Sequence, residues 1–169
     1  MLEDLPFIIP EEDSELNLLL ILLIIYYLNS TSRGTHILDL ERLNIYIYLV
    51  KNPHILHKVL IKLNKKSFLL KSYEFSSYKA ENNNSEAFYN SEAVGYYIQI
   101  LASNNLVNIE YNEKVGFVFI PSEDVDNHIN VNTTYLKRSV DLINKIKQIN
   151  SISISKINTE IKNILKEGE

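Results

Sequence analysis

The sequence contains no cysteine, no tryptophan, and only four glycines and four prolines among its 169 residues. Without cysteine it can have no disulfide framework, no thiol nucleophile and no zinc or iron–sulfur site with cysteine ligands. It also lacks the glycine-rich motifs of a phosphate-binding loop and of a dinucleotide-binding fingerprint. Hydrophobic residues make up 46% of the chain and charged residues 22%, so the chain can bury a core. This composition excludes a disordered or fibrous protein.

The chain has little net charge of either sign and no long hydrophobic run. Its formal net charge of −4 argues against a protein built chiefly to coat nucleic acid. The most apolar stretch, 18–28, is about half the length of the roughly 20 residues that a membrane-spanning helix needs. The residues before it are acidic, whereas a signal peptide begins with a basic region. We therefore expect a cytoplasmic protein without membrane association, in which this stretch is a helix covered by its own chain or by a partner.

Hydrophobic periodicity predicts a mainly α-helical fold with one small β-hairpin. The predicted helices are 15–28, about 38–50, 53–64 and 91–105, followed by two amphipathic helices near the C-terminus. Segments 106–111 and 115–120 are rich in β-branched and aromatic residues and are joined by a short turn, which is typical of a hairpin. A helix that runs directly into a hairpin, after two or three earlier helices, is the element order of a winged helix-turn-helix domain. The predicted fold is a winged-helix-like α+β core plus C-terminal amphipathic helices.

The chain divides into three predicted parts. An acidic leader spans 1–14, the winged-helix-like domain spans 15–121, and a C-terminal helical tail spans 122–169. A polar loop is expected at 79–85. The tail has two apolar stripes separated by a break at 151–156, and its helices are expected to pack on the main body or on another subunit.

No group of residues predicts a catalytic, cofactor or metal site. His54 and His57 are three residues apart and would share one helix face, which is a spacing that suits metal ligands. No acidic residue lies in the same helix to complete such a site. The surroundings of Ser91 lack the glycine pattern of a nucleophile elbow. We therefore expect no enzymatic activity, no cofactor and no metal, and a small enzyme with a diffuse site is the least favoured alternative.

Two kinds of surface are candidates for binding. On a helix, Lys58, Lys62, Lys65 and Lys66 would fall near one face, which could contact nucleic-acid phosphates or simply face solvent. The helix 91–105 has no lysine or arginine, although helices that read a DNA groove depend on them, so we expect it to face protein. Eleven tyrosines without tryptophan suggest interface anchors, although the alternative is tyrosines at the edge of the core. The candidate partner interface comprises Tyr46, Tyr48, Tyr96, Tyr97, Leu142, Ile146, Ile149, Ile161 and Ile164.

The order of these features resembles the middle component of bacterial ABC-three-component (Lamassu-type) anti-phage defence systems. The resemblance covers Glu15 to Pro121. It rests on the apolar first helix, on segment 48–57 (YLVKNPHILH), which is similar to a leucine-proline-leucine-histidine stretch of that group, and on the helix and hairpin of 91–120. It implies a non-catalytic accessory subunit that binds the heads of an SMC/Rad50-like ATPase and bridges them to a nuclease effector. DNA would then be contacted through the complex. The alternative is a winged-helix DNA-binding transcriptional regulator.

Overall fold

The computed structural model describes residues 14–75 and 91–167, and it confirms a mainly helical fold with one antiparallel hairpin. The predicted acidic leader, except Ser14, and the predicted loop at 79–85 lie outside the described residues. The helices are α1 (Ser14–Leu28), α2 (Leu40–Lys51), α3 (Pro53–Lys62), α4 (Ser72–Phe75), α5 (Ser91–Ser103), α6 (Thr134–Ile146) and α7 (Ile154–Lys166), the strands are β1 (Val107–Asn112) and β2 (Gly116–Pro121), and single 3-10 turns occupy Val125–Asn127 and Lys147–Ile149.

Helix α1 is the central element of the core. Residues 20–25 and Leu28 are almost completely inaccessible to solvent. The helix is covered by α2, α5, α6 and β2, all from the same chain. This cover explains why the sequence is apolar on nearly every side of the helix, since a helix that is hydrophobic all round must be buried all round. The prediction of a buried helix is confirmed, and its own chain provides the cover.

Local signals set the ends of α2 and α3. The side chain of Asp39 caps α2 by accepting a hydrogen bond from the backbone N–H of Arg42 at 2.8 Å. Pro53 occupies the first turn of α3, where its missing N–H removes no helical hydrogen bond. The helix ends at Lys62, and Asn64 adopts a left-handed conformation with φ of 54°. The prediction that α3 continues to residue 64 was therefore too long.

Helix α5 leads directly into the hairpin. The helix ends at Ser103, two residues before the predicted end, and Asn105 adopts a left-handed conformation with a φ of 56°. Strands β1 and β2 pair antiparallel with Val107 opposite Pro121, and Gly116 at the turn has a φ of 94° that favours glycine. The backbone N–H of Phe119 donates to the carbonyl of Leu38 at 2.9 Å, so the segment before α2 lies beside β2. The hairpin is thereby fixed to the helical core.

The C-terminal helices pack on the main body. Helix α6 contacts α1 and α2, and α7 contacts α2 and α3. The predicted boundary at Pro121 therefore does not separate two cores, because both sides contribute to one hydrophobic cluster. The predicted break at 151–156 is shorter than expected, since α7 begins at Ile154. The buried positions of this region include five residues predicted to face a partner: Leu142, Ile146, Ile149, Ile161 and Ile164. That prediction was wrong for the folded chain, because α1, α2 and α3 already cover these side chains.

A buried polar network ties the C-terminal helices to the body. Arg42 donates to the hydroxyl of Tyr46 at 2.9 Å, and that hydroxyl donates to Asn150 Oδ1 at 2.8 Å. The Arg42 guanidinium also donates to the carbonyls of Asn150 and Ile152 at 3.1 and 3.2 Å. Asn150 in turn donates to the carbonyl of Ser30 at 2.9 Å, which links the network to the end of α1. Burial raises the pKa of Tyr46, an effect that Arg42 partly opposes, so the hydroxyl keeps the proton that it donates.

Candidate interaction surfaces

The two histidines considered as metal ligands are His54 and His57. His57 Nδ1 lies 2.9 Å from the carbonyl oxygen of Phe68 and 2.7 Å from Ser67 Oγ, so His57 joins α3 to the segment that follows it. Burial, with a smaller effect of the nearby Lys58 charge, lowers the pKa of His54. Across residues 14–75 and 91–167, no three histidine, aspartate or glutamate side chains cluster as metal ligands.

The four tyrosines predicted as interface anchors have different environments. Tyr46 is fully buried in the network with Arg42, and Tyr48 is buried in the core, so the prediction was wrong for both. Both lie on α2, which is covered on several sides by α1, α3, α5 and α6. Tyr97 is half-buried, and Tyr96, on the outer side of α5, is 63% exposed. Of the predicted tyrosine anchors, Tyr96 is the one that is open to solvent.

The hairpin carries an apolar surface that the sequence reasoning did not identify. Ile109, Tyr111 and Phe117 lie on one side of the two strands and are 47%, 69% and 65% exposed. Tyr111 and Phe117 are cross-strand partners whose rings meet edge to face, with 5.5 Å between their centroids. We call these three residues the exposed hairpin face. A signal was present in the sequence, since alternate residues in a two-stranded sheet share a side and both sides of this hairpin contain large apolar residues.

At the inner end of the same side of the hairpin, Val107 and Phe119 are buried in the core. The exposed hairpin face is thus the outward continuation of a side that is anchored in the core. The anchoring holds the two exposed rings in a defined position, which lowers the entropic cost of burying them against another molecule.

The chain segment that contains the hairpin is acidic. Residues 91–133 contain six acidic side chains, Glu92, Glu110, Glu113, Glu123, Asp124 and Asp126, and one basic side chain, Lys114. All seven are exposed. The apolar face and the acidic segment that contains it together suit a partner that has an apolar site with a basic rim.

The four lysines predicted as a nucleic-acid face are all exposed, but they do not lie on one helix face. Lys58 and Lys62 are on α3, whereas Lys65 and Lys66 lie in the irregular segment that follows it. Lys62 forms an ion pair with Glu167 at 2.6 Å, next to the end of α7. The backbone of Lys66 exchanges two hydrogen bonds with the side chain of Gln148, at 3.1 and 2.9 Å. The four lysines therefore lie on two segments that face the C-terminal helices.

An ion pair fixes the segment after α3 against α6. Arg138 binds Glu74 with two hydrogen bonds of 2.8 Å, and its guanidinium lies 5.3 Å from the centre of the Phe68 ring. Burial raises the pKa of the Glu74 carboxyl, but the hydrogen bonds from Arg138 and from the N–H of Lys71 outweigh burial, and the net pKa is lowered. Glu74 is therefore charged at neutral pH and holds residues 69–74 in place.

These surfaces define the class of protein. It is a mainly helical protein with an appended hairpin, which carries an exposed apolar face in an acidic segment, and it has lysine-rich segments elsewhere. Within the described part of the chain, no helix combines the length and hydrophobicity needed to cross a membrane. The family model described as ABC-three component (ABC-3C) system Middle Component 4 matches residues 28–159. The chain belongs to this family, whose members have an accessory role in a system of several components. No curated protein and no solved structure matches the chain.

Proposed function

We propose that this protein is the non-catalytic accessory subunit of a cytoplasmic, Lamassu-type anti-phage system, in which it binds the heads of an SMC/Rad50-like ATPase and bridges them to a nuclease effector. Membership of the middle-component family supports a role beside other protein components. The nature of those components is part of the proposal, and it follows from the resemblance described above.

The observation that carries the proposal is the exposed hairpin face. Tyr111 and Phe117 are held in contact with each other at the outer end of a hairpin whose inner end is buried in the core. An aromatic side chain that removes on the order of 100 Å² of apolar surface from water gains about 2.5 kcal/mol. Two adjacent rings of this kind are therefore suited to be the central anchors of a protein interface.

The acidic segment favours a protein partner over DNA for this part of the molecule. Helix α5, which would be the recognition helix of a winged-helix domain, has no lysine or arginine, and the hairpin has Lys114 as its one basic residue. A winged-helix regulator would present these two elements to phosphates, and acidic side chains would repel them. Contacts among α1, α2 and α5, and the bond between Phe119 and Leu38, support a winged-helix-like arrangement that is used for protein binding.

The test is co-expression of the full chain with the ATPase component of the same system, followed by affinity purification and size-exclusion chromatography. Replacing Tyr111→Ser and Phe117→Ser together removes both anchors from an exposed position, so we expect loss of co-purification without loss of stability. The matched control is Ile61→Ser with Tyr73→Ser, which removes two apolar side chains of similar exposure from α3 and α4. The proposal fails if the two double variants co-purify equally well with the ATPase, or if the wild-type chain does not co-purify with it.

A further inference from the structure

The charges of this protein are strongly segregated, although its net charge is small. Residues 58–74 contain five lysines and one acid, and residues 134–167 contain seven basic and three acidic side chains. In contrast, residues 91–133 contain six acidic side chains and one basic side chain. The two basic segments are about 60 residues apart in sequence. The net charge of −4 for the whole chain gives no indication of these segments.

Folding brings the two basic segments together. Three contacts join them: the ion pair of Lys62 with Glu167, the hydrogen bonds of Lys66 with Gln148, and the ion pair of Glu74 with Arg138. Residues 66–74 therefore run along α6 from Gln148, in the 3-10 turn that follows this helix, back to Arg138, a distance of about 15 Å at the helical rise per residue.

Lys145 lies on the same side of α6 as these contacts. It is two helical turns from Arg138, and Gln148 Nε2 lies within 3.4 Å of its carbonyl oxygen. Together with the five lysines of residues 58–71, it forms a surface built from α3, the chain after it and α6. We call this surface the basic face: Lys58, Lys62, Lys65, Lys66, Lys71 and Lys145.

Most of the basic face retains its charge toward solvent. Lys58, Lys65, Lys66 and Lys71 are exposed, and in the described part of the chain their ammonium groups form no ion pair. Arg138, the arginine beside this surface, is already bound to Glu74. The basic face thus consists of lysines, which are depleted at the centres of protein interfaces but bind phosphates well as point charges.

From this geometry we infer that the basic face binds the phosphate backbone of double-stranded nucleic acid. A duplex carries one negative charge for each ~1.7 Å of its axis when both strands are counted, so a stretch of about 15 Å contains about nine phosphates, and the surface contacts those on the side that faces it. The four exposed lysines that form no ion pair in the described part of the chain, Lys58, Lys65, Lys66 and Lys71, can contact these phosphates without contacting base edges. Binding is therefore expected to be independent of sequence and strongly dependent on salt. This site is separate from the exposed hairpin face, so nucleic acid and a protein partner would be bound by different elements.

The test is fluorescence anisotropy of the full chain with labelled 20-base-pair DNA duplexes of two unrelated sequences, titrated from 20 to 200 mM salt. We expect both duplexes to bind equally. We expect Lys65→Glu with Lys66→Glu to weaken binding about tenfold or more at 50 mM salt, and to reduce the slope of log K against log salt by about 1.8. Lys65→Gln with Lys66→Gln should reduce the slope equally with a smaller loss of affinity. All four changes leave the backbone bonds of Lys66 with Gln148 available.

The matched control is Arg33→Glu with Lys114→Glu, which changes the net charge by the same amount at two exposed positions outside the basic face. Equal weakening by both charge-reversed variants would overturn the inference, because the effect would then be one of total charge. Absence of duplex binding at 20 mM salt would also overturn it. Binding of polyglutamate but not of the duplex would show that the basic face takes an acidic protein instead. The Tyr111→Ser, Phe117→Ser variant should bind the duplex as wild type does, which separates this test from that of the proposed function.

Discussion

Removal of one hydroxyl group should weaken the attachment of the C-terminal helices. In the Tyr46→Phe variant, Asn150 Oδ1 loses the donor that lies 2.8 Å away in the wild type. A buried acceptor left without a partner costs about 1–3 kcal/mol. Arg42 keeps the carbonyls of Asn150 and Ile152 as acceptors, so no buried charge is stranded and the larger cost of a broken buried ion pair does not apply. We expect a loss of about 2 kcal/mol in the free energy of unfolding, which lowers Tm by roughly 4–8 °C for a chain of this size.

Urea denaturation followed by circular dichroism measures this loss, with Tyr96→Phe as the control at an exposed position. The free energy of unfolding of the control should remain within about 0.5 kcal/mol of that of the wild type. A double-mutant cycle with Asn150→Ala isolates the pair, and we expect a coupling energy of about 1 kcal/mol. If Tyr46→Phe is as stable as Tyr96→Phe, or if the effects of Tyr46→Phe and Asn150→Ala are additive, the network does not hold these helices as described.

Two further predictions concern α6 and α7. Glu74→Gln removes the negative charge from the ion pair with Arg138. This change should lower the free energy of unfolding by about 2 kcal/mol at pH 7. Because folding lowers the pKa of Glu74, its stabilising effect is present above the ordinary glutamate pKa of about 4.3 and is lost as the pH falls below it. The difference in urea midpoint between wild type and Glu74→Gln should therefore shrink below about pH 4, and a constant difference from pH 7 to pH 3 would contradict this account. Ile161→Ala empties a fully buried position between α7 and its neighbours and should cost about 2–5 kcal/mol in the same assay, whereas a cost below 1 kcal/mol would mean that α7 is only loosely docked.

Local chemistry was enough to predict most of the secondary structure. Pro53 starts α3, Asn105 ends the helical turn after α5, and the β-branched segments after it form the hairpin. Each of these features depends on residues that are neighbours in sequence, so a short window contains the relevant information. The apolar segment 18–28 likewise had to be buried, because no face of this helix is polar enough to contact water.

The candidate surfaces were less accessible from sequence, and the errors have a common cause. Tyr46 and Ile161 were predicted to face a partner because an apolar or aromatic side chain gives no indication of which molecule covers it. The exposed Tyr111 and Phe117 were missed because they share one side of the hairpin with the buried Val107 and Phe119, so their exposure depends on how far along the strands the core extends.

The absence of cysteine, the mainly helical fold and the hairpin after the fourth predicted helix follow from the sequence alone, since these properties depend on composition and on periodicity over a few turns. The packing of the C-terminal helices into the core, and the contacts that join them to the lysine-rich segment after α3, depend on the tertiary structure. These outcomes depend on contacts such as those of Lys66 with Gln148, whose partners are 82 residues apart. Such pairs depend on how all the helices pack at once, and no local pattern encodes that packing.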